Sequence, residues 1–167
     1  MRTVALFGAL AAAVGVGVAP AAPSSPPIPT VPCDEIILRT SRQAGGYRVV
    51  LGVVSVPPAY LEQVVDTHSR PWRYWRKAGL VIRSDIRTPV DVRVPPAWRT
   101  RAAITWGYPQ IGVVPELRIA PCASWGPKKW NAYSGGFHLR SPSACVPLLF
   151  RVGHRTATVR FGVGRRC

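Results

Sequence analysis

Few residues in this chain are arranged as catalysis would need them. Asp66-Thr67-His68-Ser69 brings together a carboxylate, an imidazole and two hydroxyls, the residue types of an acyl-transfer triad. Such a triad assembles in space from distant segments, and no G-x-S-x-G elbow surrounds any serine, so the run reads as a polar turn. His138 and His154 have no His or carboxylate at metal-ligand spacing. The cysteines form no C-x-x-C pair, and the sequence assigns no metal site. Adjacent acids on a strand point to opposite faces, which makes Asp34 and Glu35 a poor acid/base couple. Asp85 and Asp91 flank a turn, and the abundant arginines are their expected partners. No glycine-rich phosphate loop is present. The sequence therefore assigns no catalytic residue and no cofactor.

Two segments instead combine aromatic rings with cations. Aromatic faces stack on sugars or bases, while neighbouring cations hold phosphate, sulfate or carboxylate. The first runs from Ser69 to Lys77 and offers Trp72, Arg73, Tyr74, Trp75 and Arg76 as candidate ligand-binding residues. In an extended chain Trp72, Tyr74 and Arg76 face one way, and Arg73, Trp75 and Lys77 the other. The second runs from Trp125 to Phe137 and offers Trp125, Lys128, Lys129, Trp130 and Tyr133. The bland alternative for both is a half-buried Trp with an Arg stem lying over it.

The charge balance favours an anionic partner. The 167 residues carry 22 Lys+Arg against 7 Asp+Glu, a formal charge of +15. No acid follows Glu116, whereas nine basic residues do, from Arg118 to Arg166. Such an excess attracts anionic surfaces over long range. Six Trp argue against a disordered polyelectrolyte, and 18 Pro with 15 Gly argue against a long helical bundle.

The N-terminus reads as an export signal. Met1-Arg2 precedes an uncharged run from Thr3 to Val18, and Ala19-Pro20-Ala21 fits a signal-peptidase site. The apolar run falls short of the roughly 20 residues of a spanning helix. The expected layout is a signal peptide over 1–21, a Pro-rich linker over 22–32 and a folded domain over 33–167. This places the protein outside the cell or at its envelope. All four cysteines lie beyond the signal, an even number suited to an oxidising compartment. Three pairings are possible. The expected one joins Cys33 to Cys167, stapling the domain ends, and Cys122 to Cys145, closing a Pro/Gly-rich loop.

The elements that must position these residues are strands. Short β-branched and aromatic runs recur between Gly, Pro, Asn and Ser: Glu35–Thr40, Tyr47–Val56, Tyr74–Ile82, Val90–Val94, Ala102–Trp106, Val113–Ala120, Gly136–Leu139, Cys145–Val152 and Thr156–Val163. About nine short strands at this spacing predict an all-β, antiparallel sandwich, Ig-like or jelly-roll-like. One short helix is expected over Ala59–His68. In the last two runs Val146, Leu148, Phe150 and Val152 share a face, as do Ala157, Val159, Phe161 and Val163. A two-residue turn at His154-Arg155 sets these faces together and puts Arg151, Arg160 and Leu149 on the other side. Val56-Pro-Pro-Ala-Tyr60 and Val94-Pro-Pro-Ala-Trp98 read as a shared strand-exit turn.

Trp130-Asn-Ala-Tyr-Ser-Gly-Gly-Phe137, Ala144-Cys-Val-Pro-Leu-Leu149 and Arg160-Phe-Gly-Val-Gly-Arg-Arg-Cys167 resemble segments of small uncharacterised secreted β-rich proteins of high-GC bacteria. The resemblance implies export and a β-rich domain and carries no activity with it. The leading expectation is a secreted, non-enzymatic binding or structural module whose partner is an anionic cell-envelope polymer or surface. A hydrolase of cell-wall material and an accessory protein-interaction domain are the alternatives.

Overall fold

The computed structural model describes residues 26–41, 45–107, 109–124 and 126–167. The expected signal peptide and the start of the linker lie outside the described residues. So does Trp125. No helix among the described residues is long and apolar enough to cross a membrane.

The regular structure of the described residues is almost all strand, in more pieces than the nine runs predict. The early strands are β1 (Thr30–Val31), β2 (Ile36–Thr40), β3 (Arg48–Val50), β4 (Val54–Val56), β5 (Tyr60–Leu61) and β6 (Val65–Asp66). The middle of the chain gives β7 (Tyr74–Lys77), β8 (Leu80–Arg83), β9 (Val90–Arg93), β10 (Ala102–Trp106) and β11 (Glu116–Ile119). The last four are β12 (Trp130–Tyr133), β13 (Gly135–Leu139), β14 (Ala144–Val152) and β15 (Arg155–Val163). Two runs that read as single strands are each broken in two. Tyr47–Val56 turns back at Leu51 and Gly52, both at positive φ, and Tyr74–Ile82 bends at Ala78-Gly79.

Three sheets form a sandwich. One has six strands in the order β1-β11-β9-β14-β15-β5. The other layer has a four-stranded part, β10-β13-β7-β6, and a five-stranded part, β2-β12-β8-β4-β3. Those two parts are bent halves of one ribbon. β7 and β8 run on into each other and pair with β13 and β12 respectively, so both partners bend at the same level. The Ala78 N–H donates to Gly135 O at 2.8 Å, and the indole N–H of Trp106 donates to Ala78 O at 2.9 Å, fixing the bend. Inward side chains of both layers meet in one core, in which Phe137 lies 5.9 Å from Trp106 and 5.2 Å from Phe161 between ring centroids.

The β14–β15 hairpin keeps the expected faces but not the expected register. Val152 pairs with Arg155, Phe150 with Ala157, Leu148 with Val159 and Val146 with Phe161. The turn is Gly153-His154, with Gly153 at φ 57°, where a tight hairpin turn favours glycine. A shift of two residues leaves every side chain on its own face. Burial alone cannot separate the two registers, and the turn glycine decides.

The Ala59–His68 helix does not form. Tyr60–Leu61 pairs in parallel with Gly162–Val163, and Val65–Asp66 pairs with Trp75–Tyr74. The Gly162 N–H donates to Ala59 O at 2.7 Å and the Gly164 N–H to Leu61 O at 2.8 Å. Sheet edges thus capture the backbone of a segment too short to hold a helix alone.

The disulfides are Cys33–Cys122 and Cys145–Cys167, not the expected pairs. The reason lies in the parallel pairing of β1 with β11, Thr30 beside Arg118 and Val31 beside Ile119. Both chains leave these strands in the same direction, so Cys33 and Cys122 emerge side by side. This also draws the end of the expected linker into the fold, with Val31 wholly buried. At the other end the chain turns at Gly164 (φ 68°) and returns over Gly162, where a Cβ would lie 2.2 Å from Arg165 O. That return brings Cys167 to Cys145, whose strand partner is Gly162. Two disulfides in so small a domain are typical of oxidising compartments.

Candidate functional site

The two ring-and-cation segments lie in different halves of the bent layer. Among the candidates of the first segment, Trp72 and Trp75 line a cavity of about 600 Å³ on the outer face of the four-stranded half. Cross-strand register builds its floor. On β13, His138 stands between Trp75 of β7 and Ala103 of β10, and in the next row Gly136 stands between Lys77 and Thr105. Trp75, His138, Lys77 and Thr105 all reach the cavity. The paired glycines allow the strands to approach closely. A Cβ on Gly135 would lie 1.7 Å from Thr105 O, and one on Gly136 would lie 2.0 Å from Arg76 O.

The rim is the loop between β6 and β7, carrying Thr67, Ser69, Arg70 and Trp72. The Thr67 N–H and hydroxyl both donate to Arg73 O, at 2.7 and 2.8 Å. Arg73 Nε donates to Asp66 Oδ2 at 2.8 Å, and the His68 N–H donates to Asp66 Oδ1 at 2.9 Å. The Arg73 hydrogen bond, helped by the His68 amide, holds the Asp66 carboxyl down at about 2. The acid, imidazole and hydroxyls of 66–69 therefore tie a loop together. His68, at φ 57°, is largely exposed.

The remaining candidates of this segment have other places. Arg73 is tied to Asp66 and stacks over Tyr74 at 5.4 Å. Tyr74 packs against the core, and Arg76 lines a separate hollow beside Tyr47 and Tyr60. The predicted alternation holds within β7, where Trp75 and Lys77 share a face. It fails for Trp72, which precedes the strand and joins Trp75. The Arg140 guanidinium lies 5.4 Å from the Trp72 ring centroid. The cation-over-ring alternative is thus also realised here, at the same indole that borders the cavity.

In the second segment Lys128 and Lys129 are exposed on the approach to β12, and Trp130 is half-buried with Arg83 at 5.8 Å from its ring centroid. Arg83 is itself paired with Asp85. Tyr133 belongs to the core at 1% exposure, its hydroxyl without a hydrogen-bond partner and its pKa raised by burial to about 12. It is not a surface residue. Alternation along β12 turns Tyr133 toward Leu80 and the core. None of these described residues reaches the cavity.

Hydroxyls and an imidazole line the cavity beside the indoles, and its charged groups are positive. Arg70 and Lys77 contribute cations, and no Asp or Glu is among the described residues that line it. His138 Nε2 is 3.0 Å from Thr105 Oγ1, and burial pulls the His138 pKa down to about 4. At neutral pH the floor therefore offers an uncharged imidazole–hydroxyl pair. The four acids considered for catalysis lie elsewhere, with Asp85 held by Arg83 and Asp91 by arginines of the six-stranded sheet. Among the described residues no cluster of His, Cys, Asp and Glu could hold a metal ion. Sequence reasoning left Lys77, His138 and Thr105 out of the site. The two-residue period of β7, β13 and β10 places them on one face once the pairing is known.

The arrangement can take a flat ring against indole and an anionic group against Arg70 and Lys77. Comparison with protein-family models, with curated proteins and with solved structures finds no match to the chain.

Proposed function

We propose that the protein is a secreted or envelope-associated binding module whose cavity holds a sugar ring of an anionic polymer. The observation that carries this reading is the cavity itself: Trp72 and Trp75 with Arg70 and Lys77, and no acid among the described lining residues, in a volume of about 600 Å³. That volume lies within the range of ligand pockets, roughly 300–1,000 Å³. The indoles supply stacking area, the cations select charge, and the neutral His138–Thr105 pair supplies hydrogen bonds to hydroxyls. The overall charge of +15 raises the encounter rate with such a polymer.

The experiment is a calorimetric titration with an oligomeric uronate and with its carboxyl-reduced neutral form. The uronate should bind more tightly. Trp75→Ala should lower its affinity at every salt concentration, because stacking is not screened. Lys77→Gln should lower it mainly at low salt. Equal affinity for the uronate and its neutral form, or no loss in Trp75→Ala, refutes the reading.

A further inference from the structure

The outward face of the six-stranded sheet is on the opposite side of the sandwich from the cavity, and it carries a second ordered arrangement of charge. β9 and β11 alternate apolar and charged residues, Val90-Asp-Val-Arg and Glu116-Leu-Arg-Ile. Their valines, leucine and isoleucine enter the core, which leaves Asp91, Arg93, Glu116 and Arg118 outside. In register, one row reads Arg118, Asp91, Arg151, Thr156 across β11, β9, β14 and β15. The next reads Glu116, Arg93, Leu149, Thr158, and Arg160 follows opposite Pro147.

Asp91 lies beneath its neighbours. Its side chain is 4% exposed, against 36% for Arg118 and 43% for Arg151. Arg118 Nε donates to Asp91 Oδ1 at 2.7 Å, Arg118 Nη2 to Oδ2 at 3.3 Å and Arg151 Nε to Oδ2 at 3.0 Å, while Arg93 Nη2 stands 3.5 Å away. Burial pushes the Asp91 carboxyl up, but the hydrogen bonds from Arg118 and Arg151 outweigh it and leave the group below its ordinary range. Glu116 receives Arg93 and Arg99, each at 3.4 Å. One bidentate arginine is enough to neutralise a carboxylate. Here two acids gather four arginines, and the acid at the centre is the covered partner. Solvent therefore meets mainly guanidinium groups held in place from below.

We propose that this face is a second binding surface, for a linear polymer bearing phosphate groups. Arg118 and Arg151 are two strands apart, roughly 9.5 Å, and successive rows are roughly 6.7 Å apart along the strands. A tetrahedral phosphate presents oxygens in several directions and accepts N–H groups from guanidiniums on either side of Asp91. Fixing the arginines in advance reduces the entropy lost on binding. The surface is independent of the cavity, so the protein can hold two polymer strands on opposite faces.

The test measures binding of fluorescently labelled inorganic polyphosphate to the full chain between 50 and 200 mM salt. Arg118→Gln with Arg151→Gln should weaken binding at low salt and lower the salt slope by about 2, near one unit per phosphate contact. Titration of the cavity with the uronate should be unchanged. Arg160→Gln, whose residue makes no ion pair with the described acids, should lower the slope by about 1 without loosening Asp91. The control is Arg48→Gln with Lys128→Gln, which removes the same charge from exposed residues on β3 and on the approach to β12, in the other layer. If that control lowers slope and affinity as much as the face variants, attraction is to net charge and the proposal fails. An unchanged slope in Arg160→Gln and in the face double variant overturns it as well.

Discussion

Removing the Cys33–Cys122 disulfide should cost more stability than removing Cys145–Cys167. The bridges span sequence separations of 89 and 22 residues. On the chain-entropy relation these loops correspond to about 4.6 and about 3.4 kcal/mol at 25 °C. The difference, about 1.2 kcal/mol, is close to an eightfold change in the folded-to-unfolded ratio. Packing widens that gap, because Cys33–Cys122 also keeps β1 against β11 and so keeps Val31 buried. The perturbation is Cys33→Ala with Cys122→Ala, compared with Cys145→Ala with Cys167→Ala. Alanine is the better replacement because Cys122 is itself buried. Equilibrium urea unfolding followed by Trp fluorescence gives both free energies, and the slope with denaturant reports how far each unfolded chain expands. Equal losses, or a greater loss for Cys145–Cys167, refute the reasoning. The return of the C-terminal tail over Gly162 would then matter more than loop size.

Gly136→Ala should destabilise the domain by about 1–3 kcal/mol, since its Cβ would sit 2.0 Å from Arg76 O and must force β13 from β7; a thermal melt checks it. Tyr133→Phe should leave stability unchanged or raise it by up to about 1 kcal/mol, because the hydroxyl it removes is buried without a partner. The same variant should bind the uronate as the parent does. His138 titrates at about 4 in the fold against 6.5 in its unperturbed state, so the unfolded chain takes up this proton first. Its contribution to stability is complete above about pH 6.5 and declines as the pH falls toward 4, a trend that urea midpoints at pH 7 and 4.5, with NMR titration of the ring, will show.

Facing was more legible than pairing. The alternation of Val146, Leu148 and Phe150 with Leu149 and Arg151 is readable from composition, and the structure puts those residues where alternation requires. Register within one parity is invisible to that argument, and Gly153 was the residue that carried it. Pairing Asp85 and Asp91 with arginines was also readable from charge, although nothing local identified Arg83, Arg118 and Arg151 as the partners. The parallel pairs were not readable at all. β1 and β5 are two residues each, too short to show a period, and their partners lie 88 and 102 positions further along the chain. Missing β1 led directly to the wrong disulfide partner for Cys33. The cavity was half legible: Trp72 and Trp75 sit in one conspicuous segment, whereas His138 and Thr105 join them only through β13 and β10.

The pairing of β1 with β11 has a mechanical consequence. A pull transmitted along the Pro-rich segment enters the domain at Thr30, in a strand of only two residues. That strand can be drawn off its neighbour, but the peeling stops at Cys33. From there the load crosses a covalent bond to Cys122, beyond the far end of β11. Tension then bypasses the hydrogen bonds of the small strand, and the stretch between the two cysteines is shielded from extension. A domain held by its N-terminal segment in a moving fluid would therefore yield by a few residues and then stiffen, with every described lining residue of the cavity except Ser134, Gly135 and His138 inside the protected stretch.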